Sequence, residues 1–258
     1  MIEESISDFK NMYEEYNTVF DKVEYIILNL DCDEDIHKIQ VFKSELLKFD
    51  AKLRLGMGIF NIDLDYNFVR EKYGQLKECH LMYYKLIDIW FAYETFFKIF
   101  ELTFNIKLHN KKITWLIDEK YTHYSNNSYI KKALLSANEE LKSVFHNRKK
   151  KQIFKDYLFY CLNNSKGKSR DCLNKIYESI EENEVLPFFQ SADVLTMTYA
   201  MRNNFVHNGE ITIYPPNFSY VLKNELLKIL YKYIVVVTIC SVKITTEHNN
   251  ARLETVLQ

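Results

Sequence analysis

The stretch that decides the fold is Leu86-Ile-Asp-Ile-Trp-Phe-Ala-Tyr-Glu-Thr-Phe-Phe-Lys-Ile-Phe100. Apolar residues recur in it every three to four positions, so they fill one broad arc of a helix that turns about 100° per residue. Ile89, Tyr93 and Phe96 lie in this arc, whereas Asp88 and Lys98 lie on the other side. The pattern predicts a long core helix over residues 75–104.

The composition extends this prediction to the whole chain. Only 5 Gly and 3 Pro interrupt 258 residues, of which 47% are hydrophobic. β-sandwiches and α/β folds need turn residues at short intervals, so both classes are excluded and an all-α fold is predicted. Further helices are predicted at residues 2–30, 36–60, 126–160, 170–182, 194–206 and 218–243, with a loop at 165–169.

The predicted helices fall into three parts. Residues 1–74 form an N-terminal helical extension of unknown role, with Gly56 and Gly58 marking the end of its second helix. Residues 75–245 form the main helical domain. Residues 246–258 are polar and are expected to be a frayed tail.

Charge, cysteines and hydropathy restrict the surroundings in which the protein works. The formal net charge of −1 means that any nucleic-acid contact must come from a local basic patch. Five scattered cysteines without a C-x-x-C pair indicate buried free thiols in a reducing cytosol, and hence a cytoplasmic protein.

The start of the chain lacks the basic and apolar regions of a signal peptide, and the most apolar run, 233–242, is about half of a membrane span. No membrane partner is expected.

The sequence contains none of the common cofactor motifs. A Walker-type loop, a dinucleotide fingerprint, H-E-x-x-H and G-x-S-x-G are all absent. We therefore expect no cofactor and no metal site.

The segment Arg202-Asn-Asn-Phe-Val-His207 carries residues suited to phosphodiester chemistry. An imidazole titrates near neutral pH and can move a proton from a ribose 2′-hydroxyl or to a leaving oxygen. A guanidinium binds a phosphate and offsets the charge that develops on it. The spacing by itself discriminates little, because the chain has seven histidines.

Helical geometry places a condition on this segment. Five residues of helix separate Arg202 from His207 by roughly 140° around the axis. Both side chains are expected to face one phosphate only if the last turn loosens, which an Asn208-Gly209 end would allow, or if two copies meet across a two-fold axis.

The context of the segment resembles the R-x4–6-H motif of the HEPN superfamily. The phrase Arg-Asn-Asn-Phe-Val-His-Asn-Gly closes an apolar helix and precedes a long one, and Asn203 matches the polar residue that often follows the arginine in that family. The helix containing Trp90, Ala92 and Glu94 looks like a first HEPN helix. The resemblance covers residues 76–245.

This resemblance implies a HEPN-like helical bundle that homodimerises and cuts RNA without a metal, leaving a 2′,3′-cyclic phosphate. Arg202, Asn203 and His207 would be the catalytic residues, and Glu94 would help to orient them. It also implies a toxin, antiviral-defence or abortive-infection role, with an antitoxin or defence-complex protein as a further partner.

Two of these assignments have simpler alternatives. Glu94 could instead be a surface carboxylate paired with Lys98 at the i+4 position. The basic run Arg148, Lys149, Lys150 and Lys151 could hold an RNA backbone, but it could equally be a solvated helix face.

Two other functions remain open at this point. One is a non-catalytic HEPN module that binds RNA or a partner protein. The other is a structural helical adaptor in which the motif is a coincidence, and it predicts that Arg202 and His207 lie apart and exposed to solvent.

Overall fold

The computed structural model describes residues 9–29, 33–65, 75–207 and 218–257. Within these ranges every regular element is helical, so the all-α class is confirmed. The α-helices are α1 (Phe9–Leu28), α2 (Asp33–Gly58), α3 (Gln75–Phe104), α4 (Thr122–Ser125), α5 (Ser128–Val144), α6 (Arg148–Asn163), α7 (Gly167–Glu182), α8 (Ser191–His207) and α9 (Tyr220–Leu257). Three short 3-10 turns, His109–Lys111, Trp115–Ile117 and Glu119–Tyr121, connect α3 to α4.

Helices α3 and α9 form the centre of the bundle. Asn224 of α9 bonds to Glu78 near the start of α3, and Arg252 bonds to the carbonyl of Thr103 near its end, so the two helices run parallel. The residues of α9 from 233 to 242 are all buried. A helix that is apolar all round is stable only when neighbours cover every face, and α1, α3, α5 and α8 do so.

The two N-terminal helices belong to the same hydrophobic core as the rest of the bundle. Helix α2 packs against α3, and α1 packs against α9. Lys85 of α3 is buried and donates to the carbonyl oxygens of Met57 and Ile59, at 3.2 and 2.7 Å. It thereby satisfies acceptors at the C-terminal end of α2 that the helix itself leaves open.

The prediction of one helix over residues 126–160 is wrong. Asn147 separates α5 from α6, because its side-chain Oδ1 accepts a hydrogen bond from the backbone N–H of Lys150 at 2.9 Å. This is the usual role of an asparagine that precedes a helix. Phe145 turns into the core at the break and stacks on Phe154. The predicted loop at 165–169 is also too long, since α7 begins at Gly167.

The expectation of a frayed tail is wrong over residues 246–257, where α9 continues. Asn249 and Asn250 are buried, and Asn250 donates to the carbonyl of Val19 in α1. Lys22 and Glu254 add an ion pair at 2.7 Å. The polar residues of this segment therefore stay helical because α1 lies against them.

The cysteines of the described ranges form no disulfide bond. Cys79, Cys161 and Cys240 are buried free thiols, and Cys172 is partly exposed and also free. Over the described ranges, none of the helices combines the length and the apolar character required to cross a bilayer.

Candidate functional site

Helix α8 carries the Arg202–His207 segment through the interior of the bundle. It begins at Ser191, where the carboxylate of Asp193 accepts a hydrogen bond from the backbone N–H of Gln190 at 2.8 Å. The helix contacts α3, α6, α7 and α9, so most of its side chains are buried. It ends at His207, and the expected Asn208-Gly209 cap lies outside the described residues.

Arg202 is a buried arginine with an exposure of 8%. Its guanidinium carbon lies 5.1 Å from the centre of the Phe91 ring, a cation–π arrangement. Its Nη1 donates to the side-chain oxygen of Asn203 at 2.8 Å. Its Nε is buried and has no hydrogen-bond partner among the described residues. A guanidinium with a donor left over in a buried position is suited to receiving an anionic group.

His207 meets Arg202 within one chain. Arg202 Nη1 and His207 Nε2 lie 3.2 Å apart. A guanidinium carries no acceptor, so Nε2 must hold a lone pair and the ring proton must be on Nδ1 for this contact to be a hydrogen bond. The imidazole itself is exposed. In that tautomer, Nε2 of His207 is a proton acceptor 3.2 Å from the positively charged guanidinium.

The two side chains meet within one intact helix. Helix α8 stays helical through His207, so the last turn need not loosen, and no second copy is needed to bring the two side chains together. The 140° separation applies to the directions in which side chains leave the helix. The long side chain of Arg202 crosses this angle and reaches the imidazole.

Glu94 lies on α3 beside this segment, and its ion-pair partner is Lys112 rather than Lys98, the alternative partner that the sequence offered. Its Oε1 accepts from Lys112 Nζ at 2.8 Å, and the side chains of Glu94 and Lys112 are 28% and 16% exposed. Burial acts to raise the pKa of Glu94, but the bond to Lys112 and the positive charges of Lys112 and Arg202 outweigh it and hold this pKa below its ordinary value. Glu94 is thus an anion within the electrostatic reach of Arg202.

The basic run at residues 148–151 does not lie beside the Arg202–His207 segment. Lys151 is directed to the end of α7, where it donates to the carbonyl oxygens of Asn183 and Glu184. The part of α6 that touches α8 is at its other end, where Asn204 Nδ2 lies 3.2 Å from Cys161 Sγ. From residue 151 to residue 161 an α-helix rises roughly 15 Å. Arg148, Lys149, Lys150 and Lys151 therefore form a surface separate from Arg202 and His207.

A basic pocket that the sequence did not indicate lies next to Glu94. It has a volume of about 320 Å³ and is lined by Glu94, Lys112, Lys166, Lys168, Ser169 and Tyr199, among others. Lys112 comes from the turns after α3. Lys166 and Lys168 lie on either side of Gly167, the first residue of α7. No spacing rule connects these segments, so only the packing of α3, α7 and α8 reveals the pocket.

A comparison with family models, curated sequences and solved structures found no match in any of the three. The fold and the site nevertheless define a class: an all-α protein with a buried arginine bonded to an exposed histidine at the end of a core helix. In the described ranges, no three side chains of His, Cys, Asp or Glu come together as a metal-binding set.

Proposed function

We propose that this protein is a metal-independent endoribonuclease of the HEPN type, acting as a cytoplasmic toxin or in antiviral defence or abortive infection in bacteria. The single observation that carries the proposal is the contact between Arg202 and His207 at 3.2 Å. A coincidental motif predicts that these side chains lie apart and exposed, whereas Arg202 is buried against Phe91 and bonded to His207.

The proposed reaction uses the groups at the end of α8. Nε2 of His207 takes the proton of the ribose 2′-hydroxyl, and O2′ attacks phosphorus. The bond from phosphorus to O5′ breaks as the new O2′ bond forms, and the proton passes to the departing O5′. The products are a 2′,3′-cyclic phosphate and a 5′-hydroxyl. Arg202 donates to the phosphate oxygens, whose charge rises in the transition state.

The contact between Arg202 and His207 has a further role in this scheme. An incoming phosphate competes for the N–H groups of Arg202, since a charged acceptor binds a guanidinium more strongly than a neutral imidazole does. Substrate binding then frees Nε2 to act as a base. The side-chain oxygen of Asn203 accepts from Nη1 at 2.8 Å and limits the movement of the guanidinium. Glu94 is a positioning residue that acts through its charge on Arg202.

Two parts of the proposal come from the resemblance alone. HEPN proteins commonly form homodimers in which two motifs combine, and many work with an antitoxin or another defence protein. We extend both properties to this chain as proposals. The pairing of Arg202 with His207 inside one chain is compatible with either a one-chain or a two-chain site.

The experiment is digestion of total RNA and of tRNA by the purified full-length protein in the presence of EDTA. Wild type is compared with His207→Ala and with His37→Ala, which removes an exposed histidine of α2. We expect wild type and His37→Ala to leave cyclic-phosphate ends and His207→Ala to leave the RNA intact. Equal cleavage by wild type and His207→Ala contradicts the assignment of the site.

A second candidate is a non-catalytic HEPN module that binds RNA or a partner protein. One observation favours it: Nε2 of His207, the atom that would act as base, is already occupied by Arg202. In that case no preparation cuts RNA with or without Mg²⁺, and Arg202→Ala weakens RNA or partner binding.

A further inference from the structure

The basic pocket described above keeps an excess of positive charge. It contains Lys112, Lys166 and Lys168 against one carboxylate, that of Glu94. Glu94 is paired with Lys112. Lys168 donates to the uncharged hydroxyl of Thr114 at 2.9 Å, and Lys166 is exposed without an ion pair to any described residue. Two positive charges therefore remain for a ligand.

The pocket also offers donors that the protein leaves unused. The Ser169 hydroxyl is buried and has no hydrogen-bond partner among the described residues. Helix α7 starts at this wall, and no side chain caps its first turn. The free backbone N–H groups of a first helical turn attract anions. The start of α7 therefore offers an anion three kinds of group: backbone N–H groups, the Ser169 hydroxyl and two lysine charges without an ion pair.

The pocket is connected to the proposed catalytic residues by α3 and α8. Tyr199 lines the pocket and lies three residues before Arg202, so the two share a face of α8. Its ring packs against Trp90 of α3, with the ring centres 5.4 Å apart. Glu94 also lines the pocket, and it is close enough to Arg202 for that charge to lower its pKa. The pocket therefore adjoins the part of α8 that carries Arg202.

We propose that this pocket binds a phosphate group of the RNA chain next to the phosphate that is cut, and that Lys166 and Lys168 are the residues that hold it. This inference rests on the proposed function. It assigns RNA binding to the start of α7 rather than to the basic run at the start of α6. The phosphate belongs to a polynucleotide, because the proposed cleavage needs one RNA chain that reaches both the pocket and the Arg202–His207 pair.

The experiment measures binding of a fluorescent 2′-O-methyl RNA oligonucleotide, which cannot be cut by 2′-hydroxyl attack. The test variant is Lys166→Glu/Lys168→Glu. The matched control is Lys131→Glu/Lys175→Glu, which makes the same charge change at exposed sites of α5 and α7. A third variant, Lys149→Glu/Lys150→Glu, tests the basic run. Circular dichroism and thermal unfolding verify that all four proteins fold.

We expect the test variant to bind RNA at least ten-fold more weakly. The dependence of log K on log salt should also fall by about one, because the two lysines together hold one phosphate in the wild type. The control is expected to stay within about two-fold of wild type. Equal reductions of affinity in the test and control variants, or a reduction confined to Lys149→Glu/Lys150→Glu, would overturn the proposal. So would complete displacement of the RNA by micromolar inorganic phosphate or adenosine monophosphate, which would identify a free anion as the ligand.

Cleavage assays on the same proteins separate this inference from the proposed function. If wild type cuts RNA and the test variant binds and cuts equally well, the pocket assignment fails and the ribonuclease stands. If no protein cuts RNA but the test variant alone loses binding, the ribonuclease fails and the pocket remains the RNA site.

Discussion

Glu94 of α3 and Lys112, in the turns that follow that helix, form a partly buried ion pair with Oε1 and Nζ 2.8 Å apart. The pair joins two features of the molecule. Its carboxylate lies within the electrostatic influence of Arg202, and both of its members line the basic pocket. Replacing one member of this pair therefore has consequences for stability as well as for the site.

We expect Glu94→Gln to destabilise the protein at neutral pH by about 1 kcal/mol, as for a partly buried charged pair. The pKa of Glu94 is lowered in the fold, so its contribution to stability is present above the ordinary glutamate pKa of about 4.3 and is lost as the pH falls through the folded value. Urea unfolding at a series of pH values from 7 down to 3 measures the difference between the variant and wild type.

Glu139→Gln, at an exposed position of α5, is the control for this series. It is expected to follow wild type at every pH. A difference between Glu94→Gln and wild type that stays constant down to pH 3 would contradict the ionic role of Glu94.

Arg202→Lys tests whether the shape of the guanidinium matters at the site. Lysine keeps the charge but cannot contact Asn203 and His207 through a planar fork while lying over Phe91. We expect a loss of RNA cleavage of about 100-fold or more, as when a donor to the developing charge is removed. Steady-state cleavage assays with EDTA measure it, and Arg170→Lys at an exposed position of α7 serves as the control. Wild-type cleavage by Arg202→Lys would show that only charge is needed.

Two glycines of α2 make a matched pair that tests how closely α2 approaches α3. A Cβ added at Gly56 would lie 2.9 Å from two side-chain carbons of Ile89 and 3.0 Å from its backbone nitrogen, whereas one at Gly58 meets nothing within 4 Å. We expect Gly56→Ala to destabilise the protein by about 1–3 kcal/mol through overpacking. Gly58→Ala is expected to be neutral or to stabilise by up to about 1 kcal/mol.

Urea unfolding of both glycine variants measures these changes. Equal stability of the two variants would mean that α2 and α3 do not touch at Gly56.

Asn138 fixes the segment that leads into α8. It is buried, accepts from the backbone N–H of Phe189 at 2.7 Å and donates to the carbonyl of the same residue at 3.0 Å. Asn138→Ala leaves both backbone groups without a partner, so we expect a loss of about 2–3 kcal/mol. Asn164→Ala, at an exposed end of α6, is expected to cost much less. Thermal and urea unfolding compare them, and a similar small cost in both would remove Asn138 from this role.

The sequence predicted a helix correctly where apolar residues recur along one face. The pattern around Trp90 predicted α3 with both of its ends, residues 75 and 104. Prediction from the sequence was wrong where a single polar side chain determines the end of one helix and the start of the next. Asn147 separates α5 from α6 through one hydrogen bond to the backbone of Lys150, and the periodicity on either side does not change enough to reveal it.

One part of the candidate site was likewise predicted from the sequence and another part was not. Arg202, Asn203 and His207 were predicted from residue types and spacing within one helix, and Arg202 contacts both of the other side chains. The sequence offered Lys98 as an alternative ion-pair partner for Glu94, because residues four apart on a helix are neighbours. Lys112 is its partner instead, since the turns after α3 fold back along that helix.

The sequence by itself determined the helical class, the burial of the helices around Trp90 and Val237, and the order of the residues in the Arg202–His207 segment. These depend on local periodicity and on the small number of glycines and prolines. The tertiary structure alone decided that Arg202 is buried against Phe91, that Asn250 is held by α1, and that Lys112 and Lys168 share a pocket. Such contacts join segments far apart in the chain, and packing rather than spacing brings them together.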